Sequence, residues 1–219
     1  MLKPMFSQNI NDKNINCDSK KQQIVLASNN CGKIREFQEI FATLGIEIIP
    51  QSQLNVPEID EPYTTFVENS LHKARHCAKY TGLTALADDS GLCVHALGGS
   101  PGIHSARYAG ASTDDVKNNQ KLIEELKNIS ERSAYFYCVL VLVRSEFDPQ
   151  PIIADGIITG HIIDTPLGNN GFGYNPHFYI DAYNKTMAEL EVTLKNQISH
   201  RRRAIDNLLL KLKEINHAT

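Results

Sequence analysis

From residue 23 onward the chain alternates short apolar runs with segments whose apolar positions recur every three or four residues. The first kind predicts strands and the second amphipathic helices. Gln23–Ala27 is a short run with β-branched residues and reads as a buried strand. After the polar stretch SNNCGK, Phe37, Ile40, Phe41 and Leu44 recur at helical spacing, and Gly45 is a good stop. Thr65 to Glu68 has the capping-box pattern, opening a helix with Val67, Leu71, Ala74 and Ala78 on one face and an end near Thr81–Gly82. LTALADDSGLCVHAL reads as two short strands split by an acidic turn, and GGSPG as a turn. Ser112 to Asp115 can start a helix whose apolar face is Leu122, Ile123, Leu126 and Ile129. AYFYCVLVLVR predicts a strand, and PIIADGIITGHII one or two more. GNNGFGYNPHFYI is a glycine-rich loop entering a short strand. SHRRRAIDNLLLKLKEI is a final helix with Ala204, Leu208, Leu212 and Ile215 on one face. Helices and strands intermix, so the class is α/β with a mixed sheet.

Residues 1–22 break this pattern. They are rich in Asn, Asp, Lys and Ser, carry no periodic apolar face and lack the apolar core of a signal peptide. They read as a disordered leader, leaving 23–219 as one domain. Lys and Arg total 22 against 25 Asp and Glu, a net charge of −3. That balance argues against a non-specific nucleic-acid binder or an electrostatic membrane anchor, both of which need a basic surface. No apolar run approaches the roughly 20 residues of a spanning helix. The five cysteines are odd in number, widely spaced and without a zinc-site grouping. Most of them read as small buried hydrophobes, in a reducing, cytoplasmic setting.

Four stretches carry candidate chemistry. SNNCGK lies between a strand and a helix, and a helix N-terminus offers unpaired N–H groups and partial positive charge suited to phosphate. Ser28, Asn29 and Asn30 add polar groups, Gly32 permits close approach and Lys33 adds a cation. The Walker A spacing is absent, and a merely capped helix with a surface lysine would have the same pattern. In ADDSG, adjacent Asp88 and Asp89 would repel unless a cation such as Mg²⁺ sat between them, and one carboxylate could accept a proton from water. A solvated acidic turn is the commoner fate of an isolated DDSG. Glu58, Asp60 and Glu61 could supply a further ligand or form a polar loop.

At the C-terminal end, Ser199 as N-cap places Arg201, Arg202 and Arg203 in a first turn, where cations oppose the helix dipole. Such a cluster calls for an anionic partner, a triphosphate or a carboxylate. Arg202 and Arg203 also fit a solvated basic face paired with acidic neighbours. In GNNGFGYNP, Phe172 on a glycine loop could stack on a nucleobase, whereas Tyr174 reads as a core residue. His72 and His76 have zinc-compatible spacing but no third ligand, while Lys73 between them is a second candidate phosphate cation.

Taken together, LASNNCGKIREF, FVENSLHKARHCAK, ALADDSGLCVHALGGSPGIHSARYAG, GFGYNP and ISHR closely resemble the non-standard purine NTP pyrophosphatases, also called inosine triphosphate pyrophosphatases. The likeness spans about residues 23–215. It implies a two-lobed α/β domain around a long mixed sheet with the active site in the cleft, and a homodimer. The implied reaction is hydrolysis of inosine, xanthosine and related deoxynucleoside triphosphates to the monophosphate and pyrophosphate. Carried over by position, Ser28, Asn29, Asn30, Cys31, Gly32 and Lys33 line the triphosphate site, and Lys73 is a second phosphate lysine. Asp89 is the proton acceptor and a Mg²⁺ ligand, with Asp88 and Glu61 close to the metal. Ser90 contacts substrate; Phe172, Gly173, Tyr174, Asn175 and Lys195 form part of the pocket; His200 and Arg201 face the purine. Donors near His200 and Arg201 could donate to a 6-keto oxygen and would leave a 6-amino group facing donors. The resembled family usually has Asp where this chain has Asn175, which loses a negative charge. Two other readings stand beside it, a Maf-like pyrophosphatase for modified pyrimidine nucleotides and a nucleotide sensor without turnover. GFGY and ISHR argue against the first, and Asp88–Asp89 with Lys33 against the second.

Overall fold

A computed structural model of the chain describes residues 22–110 and 113–217. The leader expected over 1–22 lies outside the described residues except for Gln22, which already belongs to the first strand. Strands β1 (Gln22–Leu26), β2 (Ile46–Pro50), β3 (Ala85–Val94), β4 (Ser133–Val143), β5 (Ile152–Ile162), β6 (Phe178–Ile180) and β7 (Lys185–Thr186) form one sheet in the order β2-β1-β3-β4-β5-β6-β7. β1 pairs in parallel with β2 and β3, and every later pairing is antiparallel. The helices are α1 (Cys31–Ala42), α2 (Phe66–Thr81), α3 (Asp115–Glu125), α4 (Val192–Ile198) and α5 (His200–His217).

Alternation along the strands sends side chains to two faces, and different helices cover each. On one face Ile24, Leu26, Leu86, Leu140 and Leu142 meet Phe37, Ile40 and Phe41 of α1 and Ala204, Ile205, Leu208 and Leu212 of α5. On the other, Val25, Ala85, Ala87, Val139 and Val141 meet Ala74, Cys77 and Ala78 of α2. A separate core forms further along the same strands, where Leu92, Val94, Phe136 and Ile158 pack with Leu122, Phe178 and Met187. β3, β4 and β5 therefore run through both cores, which gives the domain its two lobes.

The local signals act as expected at several ends. Thr65 caps α2 by accepting the Glu68 N–H, and its hydroxyl donates to Glu68 Oε2 at 2.6 Å. Gly82 ends α2 in the left-handed region. Ser199 Oγ accepts the Arg202 N–H at 3.2 Å, capping α5. Ser112 lies outside the described residues, and Asp114 is the residue that caps α3.

One strand expectation changes. The acidic turn within residues 83–97 does not exist, because β3 is one ten-residue strand in unbroken register with β4, from Ala85 opposite Val143 to Val94 opposite Ala134. Lysines and an arginine from distant elements compensate Asp88 and Asp89, so two adjacent carboxylates can occupy a strand interior. Within residues 151–163, where one or two strands were expected, there is one, β5 (Ile152–Ile162). The short elements β2, α4 and β7 were not anticipated. Each is too short to show a clear period.

Candidate active site

A cleft of about 690 Å³ opens between the lobes, a size typical of small-ligand sites. The SNNCGK segment forms one wall, and it serves structural as well as ligand-facing ends. Asn30 is the N-cap of α1, its Oδ1 accepting the Lys33 N–H at 3.0 Å. Ser28 Oγ accepts the Asn30 N–H, and Asn29 is held between Glu58 Oε1 at 2.7 Å and Gln51 Nε2 at 3.0 Å. Cys31 is exposed at the start of α1 and, with Gly32, lines the cleft. Gly32 is required sterically. A Cβ there would lie 2.6 Å from the ring of Phe172, so the aromatic rests directly on the helix start.

The acidic pair divides its labour by strand geometry. Asp88 and Ser90 share one face of β3, with Ser90 Oγ donating to Asp88 Oδ2 at 3.0 Å. Asp88 is buried beneath the cleft without lining it, and contacts Lys33 Nζ at 3.0 Å and Arg201 Nε at 3.6 Å. Burial opposes its ionisation, but these cations outweigh burial and hold its carboxyl well below the usual range. Asp89 points the other way, toward α2, and does line the cleft. Burial dominates there and pushes its pKa up to about 6 despite Lys73 and Lys33. One of its oxygens, Oδ2, is buried without a hydrogen-bond partner. Two side-by-side aspartates thus become an ionised support and a carboxyl poised near neutrality, as proton acceptance requires.

Lys73 occupies a pocket of oxygens. Its Nζ lies 2.5 Å from Glu61 Oε1, 2.8 Å from the Asp88 carbonyl and 3.9 Å from Asp89 Oδ1. Burial alone would lower its pKa, and the charges of Asp89, Glu61 and Asp88 raise it above the ordinary value. Glu61 is lowered in turn, since Lys73 overcomes the cost of its burial. Arg107 Nη2 reaches Glu61 Oε2 at 3.4 Å. Among the described residues no three His, Cys, Asp or Glu groups cluster closely enough to hold a metal ion by themselves. Glu61 and Asp89 nevertheless converge on one cationic position, and the unpartnered Asp89 Oδ2 adds a free donor atom. Such a pair fits Mg²⁺, which commonly takes one or two carboxylates and completes its shell with water and substrate phosphate. Asp88 fits less well, because its carboxylate is turned to Lys33 and Arg201.

The start of α5 completes the opposite wall. Arg201 Nη1 donates to Glu36 Oε2 at 2.7 Å and Nη2 to Ser90 Oγ at 3.0 Å. The anionic partner that the first-turn arginines called for is therefore the carboxylate pair Glu36 and Asp88. The Arg201 guanidinium also lies 5.4 Å from the Phe172 ring centroid, a cation–π contact that fixes the aromatic. Arg202 pairs with Asp206, as a basic face would, whereas Arg203 donates to the Ile157 carbonyl and not to an acid. His200 stacks on Phe136 at 5.0 Å, with Nδ1 buried and unpartnered. Burial and the Arg201 charge hold its pKa well below the ordinary histidine value, so the imidazole is neutral.

The glycine loop is clamped by two side chains of α3. Asp115 Oδ2 accepts the Gly173 N–H at 2.7 Å, and Asn119 Nδ2 donates to the Gly173 carbonyl at 3.0 Å. Tyr174 is a core residue as expected, 3% exposed, with its hydroxyl donating to the Ser105 carbonyl at 2.8 Å. It also borders the cleft, as do Asn175 and Lys195. His72 and His76 contact Tyr63 and Tyr80, away from the cleft lining. Glu36, Arg107, Asp115 and Asn119 had no signal of their own in the sequence, since each acts through a partner at least 46 residues away.

The comparisons with known proteins agree with one another. The model of the Ham1 family matches residues 24–211. The chain is 54% identical over 201 residues to the dITP/XTP pyrophosphatase of Burkholderia pseudomallei, covering 90% of this chain and 97% of that protein. It is 55% identical over 194 residues to the protein of the same name from Neisseria meningitidis serogroup B, covering 88% and 98%. Among solved structures, the HAM1 protein of Coxiella burnetii superposes with a TM-score of 0.81 at 49% identity, covering 88% of this chain and 99% of that one. The Staphylococcus aureus Ham1 protein gives 0.77 at 41% identity, covering 90% and 100%. Sequence and fold match over nearly the whole length of each relative, and the matched span contains every element that builds the cleft. The chain belongs to the Ham1 family.

Proposed function

We propose that this chain hydrolyses non-standard purine nucleoside triphosphates, inosine, deoxyinosine and xanthosine triphosphate, to the monophosphate and pyrophosphate. The observation that carries this reading is the pairing, in one cleft, of a near-neutral carboxyl at Asp89 with Lys33 and Lys73 beside it and an aromatic, Phe172, on the wall. Relatives at about 54% identity that bear the name dITP/XTP pyrophosphatase support it.

Water breaks the α–β anhydride. Its oxygen bonds to phosphorus, pyrophosphate departs with the electrons of the broken P–O bond, and Asp89 takes the proton of the attacking water. Lys33 and Lys73 exchange part of their contact with Asp88, Glu61 and Asp89 for phosphate oxygens, and the start of α1 adds backbone N–H groups. Phe172, held by Gly32 and Arg201, stacks on the base. Glu36 and Ser90 each take one N–H donor of Arg201, and its Nε faces Asp88 at 3.6 Å, so it acts first as the frame for Phe172, Ser90 and Asp88. Neutral His200 can present an imidazole N–H to a 6-keto oxygen without importing charge. Glu61 and Asp89 are the residues that would hold Mg²⁺, which when bound neutralises phosphate charge and orients water.

We place this activity in the cytoplasm and in a homodimer. No helix among the described residues is long and apolar enough to cross a membrane. The deciding experiment measures pyrophosphate release from a panel of purine and pyrimidine triphosphates, with and without Mg²⁺. Fast release from inosine and xanthosine triphosphates, slow release from adenosine triphosphate and loss on chelation are expected. A preference for modified pyrimidines, or no turnover at all, would sink the reading.

A further inference from the structure

Phe172 is the aromatic on which a base would stack, yet its own stretch of chain does little to fix it. Glycines flank it on both sides, Gly171 at φ 96° and Gly173 at φ 64°, and backbone of that kind is conformationally free. Asn170 ties one end of the loop, its N–H donating to the Ala188 carbonyl at 2.9 Å and its Nδ2 to the Leu190 carbonyl at 3.2 Å. Tyr174 ties the other end through its hydroxyl and the Ser105 carbonyl. Between them, among the described residues, the backbone of 171–173 bonds outside the loop only at Gly173, and both of those bonds go to α3.

Asp115 takes the Gly173 N–H and Asn119 the Gly173 carbonyl, so the residue next to Phe172 has both of its backbone groups held by one helical turn. The bond to the carboxylate is charge-assisted and the stronger for it. Asn119 Nδ2 also donates to the Asp115 carbonyl at 2.8 Å, which commits its whole amide nitrogen. Its Oδ1 is left buried without a hydrogen-bond partner, a cost the structure bears with the donor aimed at the loop. The helix itself is anchored without the loop. Leu122 and Leu126 are fully buried, Asp114 caps the first turn, and Asn118 accepts the Ala109 N–H at 2.7 Å and donates to the Ala106 carbonyl at 3.1 Å.

Resting on the triphosphatase reading above, we infer that Asp115 and Asn119 are positioning residues for the base: through Gly173 they hold Phe172 in its stacking place, and they act on the base end of the substrate and not on its phosphates. The slot for the ring, between Gly32 and Arg201, is already shaped. The clamp is what keeps a doubly glycine-flanked ring in it. With the clamp removed, Gly171 and Gly173 let the ring leave, and a base then loses a stacking contact worth about 5- to 150-fold in binding. The phosphate cations do not share this dependence. Lys33 and Lys73 sit on α1 and α2, and their ion pairs involve no residue of α3.

The test measures kcat/KM for inosine triphosphate together with inhibition constants for inosine monophosphate, which carries the base, and inorganic triphosphate, which lacks it. Melting curves confirm folding. In Asp115→Ala, kcat/KM is expected to fall about tenfold and the monophosphate to bind about tenfold more weakly, while inorganic triphosphate stays within about twofold. Asp115→Asn, which keeps an acceptor oxygen, should recover most of the loss. In a Phe172→Ala background, Asp115→Ala should cost nothing further, because the clamp then has no ring to place. If Asp115→Ala fails to fold, Asn119→Ala, which leaves the cap and the carboxylates of the first turn intact, decides by the same measurements. Equal weakening of both inhibitors, or losses that add in the double variant, would make the clamp a general brace and overturn the inference, as would unchanged constants. A wild type that releases no pyrophosphate from inosine triphosphate would instead remove the proposed function, and this inference with it.

Discussion

At Asp88 and Asp89 a single step along a strand separates two chemical roles. Alternation turns one carboxylate toward Lys33 and Arg201 and the other toward Lys73, Glu61 and the cleft. The ionised, doubly paired Asp88 cannot easily take a proton, whereas Asp89, raised to about 6 chiefly by burial, can. Asp89→Asn should therefore abolish pyrophosphate release while melting no lower than the wild type, because burial penalises the charge that the substitution removes. Near-normal turnover in that variant would take the proton-acceptor role from Asp89. The identities of Asp88, Asp89, Lys33 and Lys73 were legible in the sequence, but their division was not. The reading of DDSG as a turn put both carboxylates at one end of a strand, and only pairing with β4 sets them on opposite faces.

At the scale of elements, two contacts position the working parts. α5 lies so close to β5 that a Cβ at Gly156 would sit 2.3 Å from the His200 carbonyl oxygen and 2.4 Å from the Ala204 nitrogen. Gly156→Ala must push the helix away. A stability loss of about 1–3 kcal/mol in urea denaturation is expected, with reduced activity because His200 and Arg201 begin that helix. A wild-type midpoint and rate would show that the sheet absorbs the methyl group. The β4–β5 hairpin is locked by Asp148, which is 3% exposed and accepts from Arg144 Nη2 at 2.6 Å, Arg144 Nε at 2.8 Å and the backbone N–H groups of Arg144 and Gln150. Burial opposes its charge, but these bonds outweigh it and hold the carboxyl below its ordinary value. Its contribution is thus complete above the pKa of an unfolded aspartate, about 4, and disappears as pH falls through the lower folded value. Asp148→Asn should cost about 2–3 kcal/mol at pH 7 and progressively less below about pH 4. A difference independent of pH would show that shape, not charge, sets the hairpin.

For the whole molecule, β3, β4 and β5 tie two separate apolar cores into one body, and the cleft lies where the cores part. Ligand groups from both lobes can then act on one substrate without a loop having to order first. β5 leaves Ile153 and Ile157 about two-fifths exposed, 38% and 39%, apolar surface of the kind that interfaces use. The homodimer proposed above should appear in sedimentation as a mass of two chains at micromolar concentration. A one-chain mass at tens of micromolar would exclude it.

The sequence by itself determined what depends on near neighbours. Periodicity placed α1, α2 and α5. Thr65, Ser199 and Gly82 marked their ends because caps bond within a few residues. The motif stretches marked most of the residues that line the cleft. Tertiary structure alone decided which of those residues are paired. Glu36 neutralises Arg201 across 165 residues, and Asp115 clamps Gly173 across 58. Charge compensation in a buried site depends on distance in space, and the chain order of these partners carries no trace of it.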